Sequence, residues 1–174
     1  VIDTTLAGWT SVAVWYDRWT PGDTTGTKIH IAASDDASAD IYYTFLNTGT
    51  DSLKGSMVAT VLGTALTEAS VGPPSITKGA GGALFITGNF TTTAGGKVAK
   101  STDGAGSVWT EITPASWSAV AIDQIQLLPL LTDNDIIAIR ADTTNNDIDS
   151  RVYDEVTDTW DGAWTSIGAL TENT

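Results

Sequence analysis

The chain has 174 residues, with 21 acidic against 8 basic side chains and a formal charge of −13, so it cannot assemble the basic face that nucleic acid or an anionic membrane surface requires. The absence of cysteine excludes disulfides, thiolate metal sites and cysteine nucleophiles, and the single histidine, His30, cannot build a zinc cluster. A hydrophobic content of 41% suffices for a folded core, and no apolar run is long enough to insert into a bilayer as a helix.

In chain order, residues 11–16 read as a strand that stops before the turn Thr20-Pro21-Gly22-Asp23. Residues 28–33 and 40–46 are β-branched and aromatic runs separated by the polar cluster at Ser34, Asp35 and Asp36. The turn Asn47 to Asp51 follows, and a fourth strand is expected near 57–61. The same plan recurs at 75–78, 83–87, 97–100 and 108–112, then again at 124–128, 136–140, 148–153 and 159–167. The best helical candidate, residues 58–69, is rich in β-branched residues and interrupted by Gly63, so the chain reads as all-β.

These three groups repeat one another. Asp154 and Trp160 stand six apart, as do Asp103 and Trp109 a constant 51 residues earlier, and Asn47 with Leu53 falls 56 residues before those. From Lys28 to Asp51 the chain overlays Asp135 to Asp158 without a gap at a constant 107. Four-strand units repeating at this period, each needing neighbours to cover both sheet faces, point to propeller blades. We place a single propeller region over residues 1–174, with three four-stranded antiparallel blades at approximately 6–62, 72–116 and 120–170. Three blades are fewer than the about 4 to 8 of a closed ring. A homo-oligomer or neighbouring blades of a longer chain are therefore expected to complete the partial propeller.

The turn Ser101-Thr102-Asp103, with Gly104, Gly106 and then Trp109, resembles the Asp box, or BNR repeat, of sialidase-like β-propellers, with one residue more than usual between Asp and Trp. Asp154 to Trp160 is similar to a degenerate second copy, and Asn47 to Leu53 to a more decayed third. The resemblance implies structural roles for Ser101, Asp103, Gly106, Trp109, Asp154 and Trp160 at the turn between the third and fourth strands of a blade. It implies fold rather than activity, because Asp boxes occur in catalytic and non-catalytic proteins alike.

A sialidase would need an arginine cluster, a tyrosine nucleophile and an acid. The arginines are Arg18, Arg140 and Arg151, and the Arg-Ile-Pro signature is missing. Tyr153, two residues from Arg151 on one strand face, is the candidate nucleophile, and Asp17 the candidate acid. Trp19 and Arg18, beside a Pro-Gly loop, are the candidate glycan platform. Asp133-Asn134-Asp135 and Asn145-Asn146-Asp147 offer oxygen ligands without the spacing of a calcium loop, so they read as hairpin tips, and no metal or cofactor is expected. His30 reads as a packed or surface residue. The expected function is a non-catalytic Asp-box propeller module of an extracellular or virion-surface protein, serving assembly or glycan adhesion. The alternative is a fragment of an exo-sialidase-like glycoside hydrolase.

Overall fold

Polar turns cut the chain into short strands filled by β-branched and aromatic residues, whose alternate side chains bury themselves on opposite sheet faces. The computed structural model describes residues 8–17, 26–35, 40–50, 52–53, 57–60, 71–90, 95–103, 106–114, 117, 124–130, 132–142 and 145–169. Every regular element among them is a strand, and no helix there is long and apolar enough to cross a membrane.

Three antiparallel sheets follow one another. Sheet 1 joins β1 (Trp9–Tyr16), β2 (Lys28–Asp35), β3 (Asp40–Asn47) and β4 (Ser52–Leu53) in order, with β5 (Val58–Ala59) also paired to β3. Sheet 2 joins β6 (Val71–Lys78), β7 (Leu84–Phe90), β8 (Gly95–Ser101) and β9 (Thr110–Glu111). Sheet 3 joins β10 (Gln124–Leu130), β11 (Asp135–Asp142), β12 (Asp147–Asp154) and β13 (Thr159–Trp160), with β14 (Thr165–Ala169) also on β12. Adding 107 to the bounds of β2, β3 and β4 gives those of β11, β12 and β13. The pairings move with them: His30 opposite Phe45 becomes Ile137 opposite Val152, and Tyr43 opposite Val58 becomes Ser150 opposite Thr165.

The fourth strands differ from the sequence reading. In sheet 1 the chain pairs with β3 immediately after the turn, as β4, and returns to it as β5, where a single strand near 57–61 was expected. In sheet 3 the run expected at 159–167 is split into β13 and β14. The Arg151 guanidinium donates to the Asp161 carbonyl (3.0 and 2.6 Å) and the Gly162 carbonyl (3.3 Å) at the break, diverting them from the ladder. Sheet 2 has the four strands expected, and sheets 1 and 3 carry five.

The sheets stack face to face. We call front the face a sheet turns to the one that follows it in the chain, and back the face it turns to the one before. Ala32, Ile41 and Tyr43 on the front of sheet 1 pack with Ile76, Leu84, Ile86, Ala99 and Trp109 of sheet 2. Phe85 and Val98 on the front of sheet 2 pack with Ile125, Leu127, Ile136, Ala138 and Tyr153 on the back of sheet 3. The first strand of each following sheet provides most of the contact, β6 against β1 and β2, and β10 against β6 and β7.

Candidate functional site

The chemistry-bearing side chains gather in these two interfaces. Between sheets 1 and 2, Asp17 leaves the end of β1 and lies buried against His30 and Lys78. Its Oδ2 accepts from His30 Nε2 at 2.9 Å, and both carboxylate oxygens accept from Lys78 Nζ, at 3.2 and 2.9 Å. With the carboxylate taking the Nε2 proton, His30 Nδ1 is the acceptor for the Tyr43 hydroxyl at 2.7 Å. Burial holds the His30 pKa below its ordinary 6.5, outweighing the opposing pull of Asp17, while Lys78 and Lys28 add to the lowering. Burial also pushes the Tyr43 hydroxyl far above its usual range, helped by the charges of Asp103 and Asp17. A carboxylate orienting an imidazole that faces a hydroxyl is the layout of an activated nucleophile. Here all three groups are buried and the hydroxyl is held neutral, so the relay ends inside the core of sheet 1, and Lys78 on β6 ties it to sheet 2.

Between sheets 2 and 3, Tyr153 is buried against Phe85 (5.5 Å between ring centroids) and Trp160 (5.2 Å). Its hydroxyl donates to Asp158 Oδ1 and accepts from Lys100 Nζ at 3.1 Å. Burial first, then the Asp158 carboxylate, raises the Tyr153 pKa, whereas Lys100 and the Tyr153 hydroxyl lower that of Asp158. Arg151 is committed to the Asp161 and Gly162 carbonyls. Arg140 donates to Asp149 (Nε to Oδ2, 2.8 Å) and Asp142 (3.4 Å), and its guanidinium stacks on Trp164 at 4.4 Å. Arg140 lies opposite Asp149, and Tyr153 is four residues further along β12, roughly 13 Å at a strand's rise.

The corner turns are built alike. Asp103 accepts from Ser101 Oγ (2.7 Å) and the Ser107 amide (3.0 Å), Asp154 from the Val156 and Thr157 amides (2.7 and 3.2 Å), and Asn47 Oδ1 from the Gly49 amide (2.9 Å). All three side chains tighten the connection from the third to the fourth strand of a sheet. The bonds from Thr157 and Val156 lower the Asp154 pKa. Gly106 has φ of 64°, and a Cβ there would collide with the Tyr43 ring, so the turn needs glycine on both counts. Trp109 donates from Nε1 to the Gly106 carbonyl (3.0 Å) and packs on Tyr43, while Trp160 donates to the Ile112 carbonyl (2.8 Å) of the preceding sheet.

Tyr153, Arg151 and Arg140 thus share the back of sheet 3, and Asp17 is in the other interface. Arg18 and Trp19 lie outside the described residues. Asn134 and Asn146 take left-handed φ of 57° and 56° at hairpin tips, and no metal-holding group of three or more His, Cys, Asp or Glu occurs among the described residues. Sequence reasoning missed the partnership of His30 with Asp17, Tyr43 and Lys78. The available signal was a lone histidine between Ile29 and Ile31 on a strand, a setting in which a buried imidazole needs partners. It also passed over Trp117, buried against Trp160 and Trp164 (5.0 and 4.9 Å).

No protein family and no curated protein matches the chain. Among solved structures it is similar to a leech intramolecular trans-sialidase, with 13% identity, a TM-score of 0.49, and coverage of 74% of this chain and 19% of that one. It is also similar to a Hadza microbial sialidase, with 11% identity, a TM-score of 0.51, and coverage of 86% of this chain and 32% of that one. The chain spans less than a third of the length of either. The likeness to the microbial sialidase concerns the fold alone and supports a sialidase-like β-propeller arrangement for these sheets.

Proposed function

We propose that the chain is a non-catalytic stretch of a sialidase-like β-propeller, its three Asp-box blades serving assembly in an extracellular or virion-surface protein. The observation that carries this reading is the state of the four candidate catalytic side chains. Tyr153, Arg151, Arg140 and Asp17 are all buried, and each is bound to groups of the chain itself. A sialidase needs guanidinium donors directed at a substrate carboxylate and a tyrosine poised to lose its proton. Arg140 is instead neutralised by Asp149 and Asp142, and the Tyr153 hydroxyl is raised away from ionisation. The chemistry of the residues is thereby spent on joining sheets.

The test is hydrolysis of a fluorogenic sialoside by the 174-residue chain. No turnover above the buffer rate is expected. Turnover that Tyr153→Phe abolishes would defeat the proposal in favour of a glycoside hydrolase fragment. Glycan adhesion through Trp19 and Arg18 is a separate proposal, and a glycan array comparing the wild type with Trp19→Ala decides it.

A further inference from the structure

One strand position recurs in all three sheets and is buried in two of them. Val14 lies opposite Ile31, and Leu127 opposite Ala138, 107 residues further on, so Val14 and Leu127 are equivalent back-facing positions on first strands. Ile76, on the back of β6, is their counterpart in sheet 2. Ile76 is 4% exposed because it packs on the front of sheet 1, and Leu127 3% because it packs on sheet 2, yet Val14 is 61% exposed. The opposite face gives the complementary pattern. Trp15 and Thr77 are covered by the following sheet, whereas Leu128, their equivalent on β10, is 48% exposed. Beside it, Ile137 and Ile139 occupy the positions of His30 and Ala32, which are buried under sheet 2.

We infer that these two surfaces dock on each other between copies: the back of β1 of one chain seats on the front of β10 and β11 of a second. The reciprocal contact closes a head-to-tail ring of two chains and six sheets. The joint continues an interface that the chain already makes twice internally, first strand onto the first two strands of the preceding sheet. Each joint pairs two unlike surfaces, a two-fold axis relates the two joints, and the six sheets so closed fall within the usual range of about 4 to 8. Val12, Val14, Leu128, Ile137 and Ile139 carry no charge, while Asp135 and Asp154 stand opposite each other at one end of the front of sheet 3, so the apolar patches of two chains of −13 each meet beside that acidic corner. Added salt should therefore strengthen the association by screening the remaining repulsion. The inference rests on reading the chain as an incomplete propeller and is independent of whether that propeller is catalytic.

The test is mass in solution across a concentration series, by light scattering or sedimentation. A particle of twice 18.1 kDa is expected. Val14→Asp and Leu128→Asp should each weaken it by about 100-fold or more, since either buries an unpaired carboxylate in the joint. Both positions are exposed within the chain, so each variant should keep the wild-type circular dichroism. An equal mixture of the two variants should recover dimers, because one intact joint remains between an unaltered front and an unaltered back. A monomer at every concentration, a particle larger than two chains, a dimer indifferent to both substitutions, or a mixture that stays monomeric would each overturn the ring. Sialoside turnover by a dimer would leave the ring standing and remove only the non-catalytic reading.

Discussion

The joint of sheets 1 and 2 holds a buried ionic chain, Lys78 to Asp17 to His30 to Tyr43, beside the Tyr43–Trp109 ring pair, whereas that of sheets 2 and 3 holds an aromatic stack, with Trp117 after β9 at 4.9 Å from Trp164 and 5.0 Å from Trp160, beside the more exposed Lys100–Asp158 pair. Both joints bring the same strands together in the same order, so the sheet repeat does not dictate their chemistry. An aromatic joint gains from area and tolerates small shifts. An ionic joint demands that each partner be present, because a buried charge left alone costs more than the pair contributes. The two should therefore fail differently when broken.

The largest effect belongs to the aromatic joint. Trp117→Ala removes a fully buried indole from between two others and should cost about 3–5 kcal/mol of unfolding free energy, read from denaturant titration. A loss under about 1 kcal/mol would show that Trp160 and Trp164 close the gap unaided. In the ionic joint, Asp17→Ala strands the Lys78 ammonium and takes the acceptor from His30, for a cost of about 3 kcal/mol. Removing Lys78 as well, as Asp17→Ala with Lys78→Met, should restore much of that loss. No such rescue is available at Trp117, and equal losses in the single and double variants would show that the joint is held by packing rather than by charge.

This contrast marks how far the sequence could be read. The period of 107 between β2 and β11 was legible because it rests on local features, polar turns and alternating β-branched residues, that repeat wherever the strand register repeats. The Asp103 and Asp154 turns were legible for the same reason, since their bonds close within four residues. The broken fourth strand of sheet 3 was not, because the Arg151 side chain that takes the Asp161 and Gly162 carbonyls comes from a neighbouring strand. Least legible was the ionic joint. Lys78 reaches Asp17 across 61 residues, and nothing near either residue announces the other. Arg140 illustrates the converse: it looked like a binding residue, while the aspartates that neutralise it stand two and nine positions away.

The smallest effect separates the joints by pH. His30 is the only histidine in the chain, so the aromatic joint contains none. Burial lowers its pKa below 6.5, so the unfolded chain binds a proton there before the folded chain does. The stability contributed by the neutral ring is complete above pH 6.5 and is lost as the pH falls through the window between 6.5 and the lower folded value. The slope approaches at most about 1.4 kcal/mol per pH unit, the limit for one proton. Glu155 works in the opposite sense: burial raises its pKa, so ionisation at rising pH costs the folded state stability. The sum of the two could flatten the wild-type curve, so the informative measurement is the difference between wild type and His30→Asn, each melted from pH 7.5 down to 5. The variant should be less stable throughout, because Asp17 loses a donor, but it should lack the His30 slope. The difference between the curves should therefore shrink toward pH 5. A constant difference would mean that His30 titrates alike in the folded and unfolded chain, and a difference that grows toward pH 5 would mean that the joint holds an imidazolium between Asp17 and Tyr43.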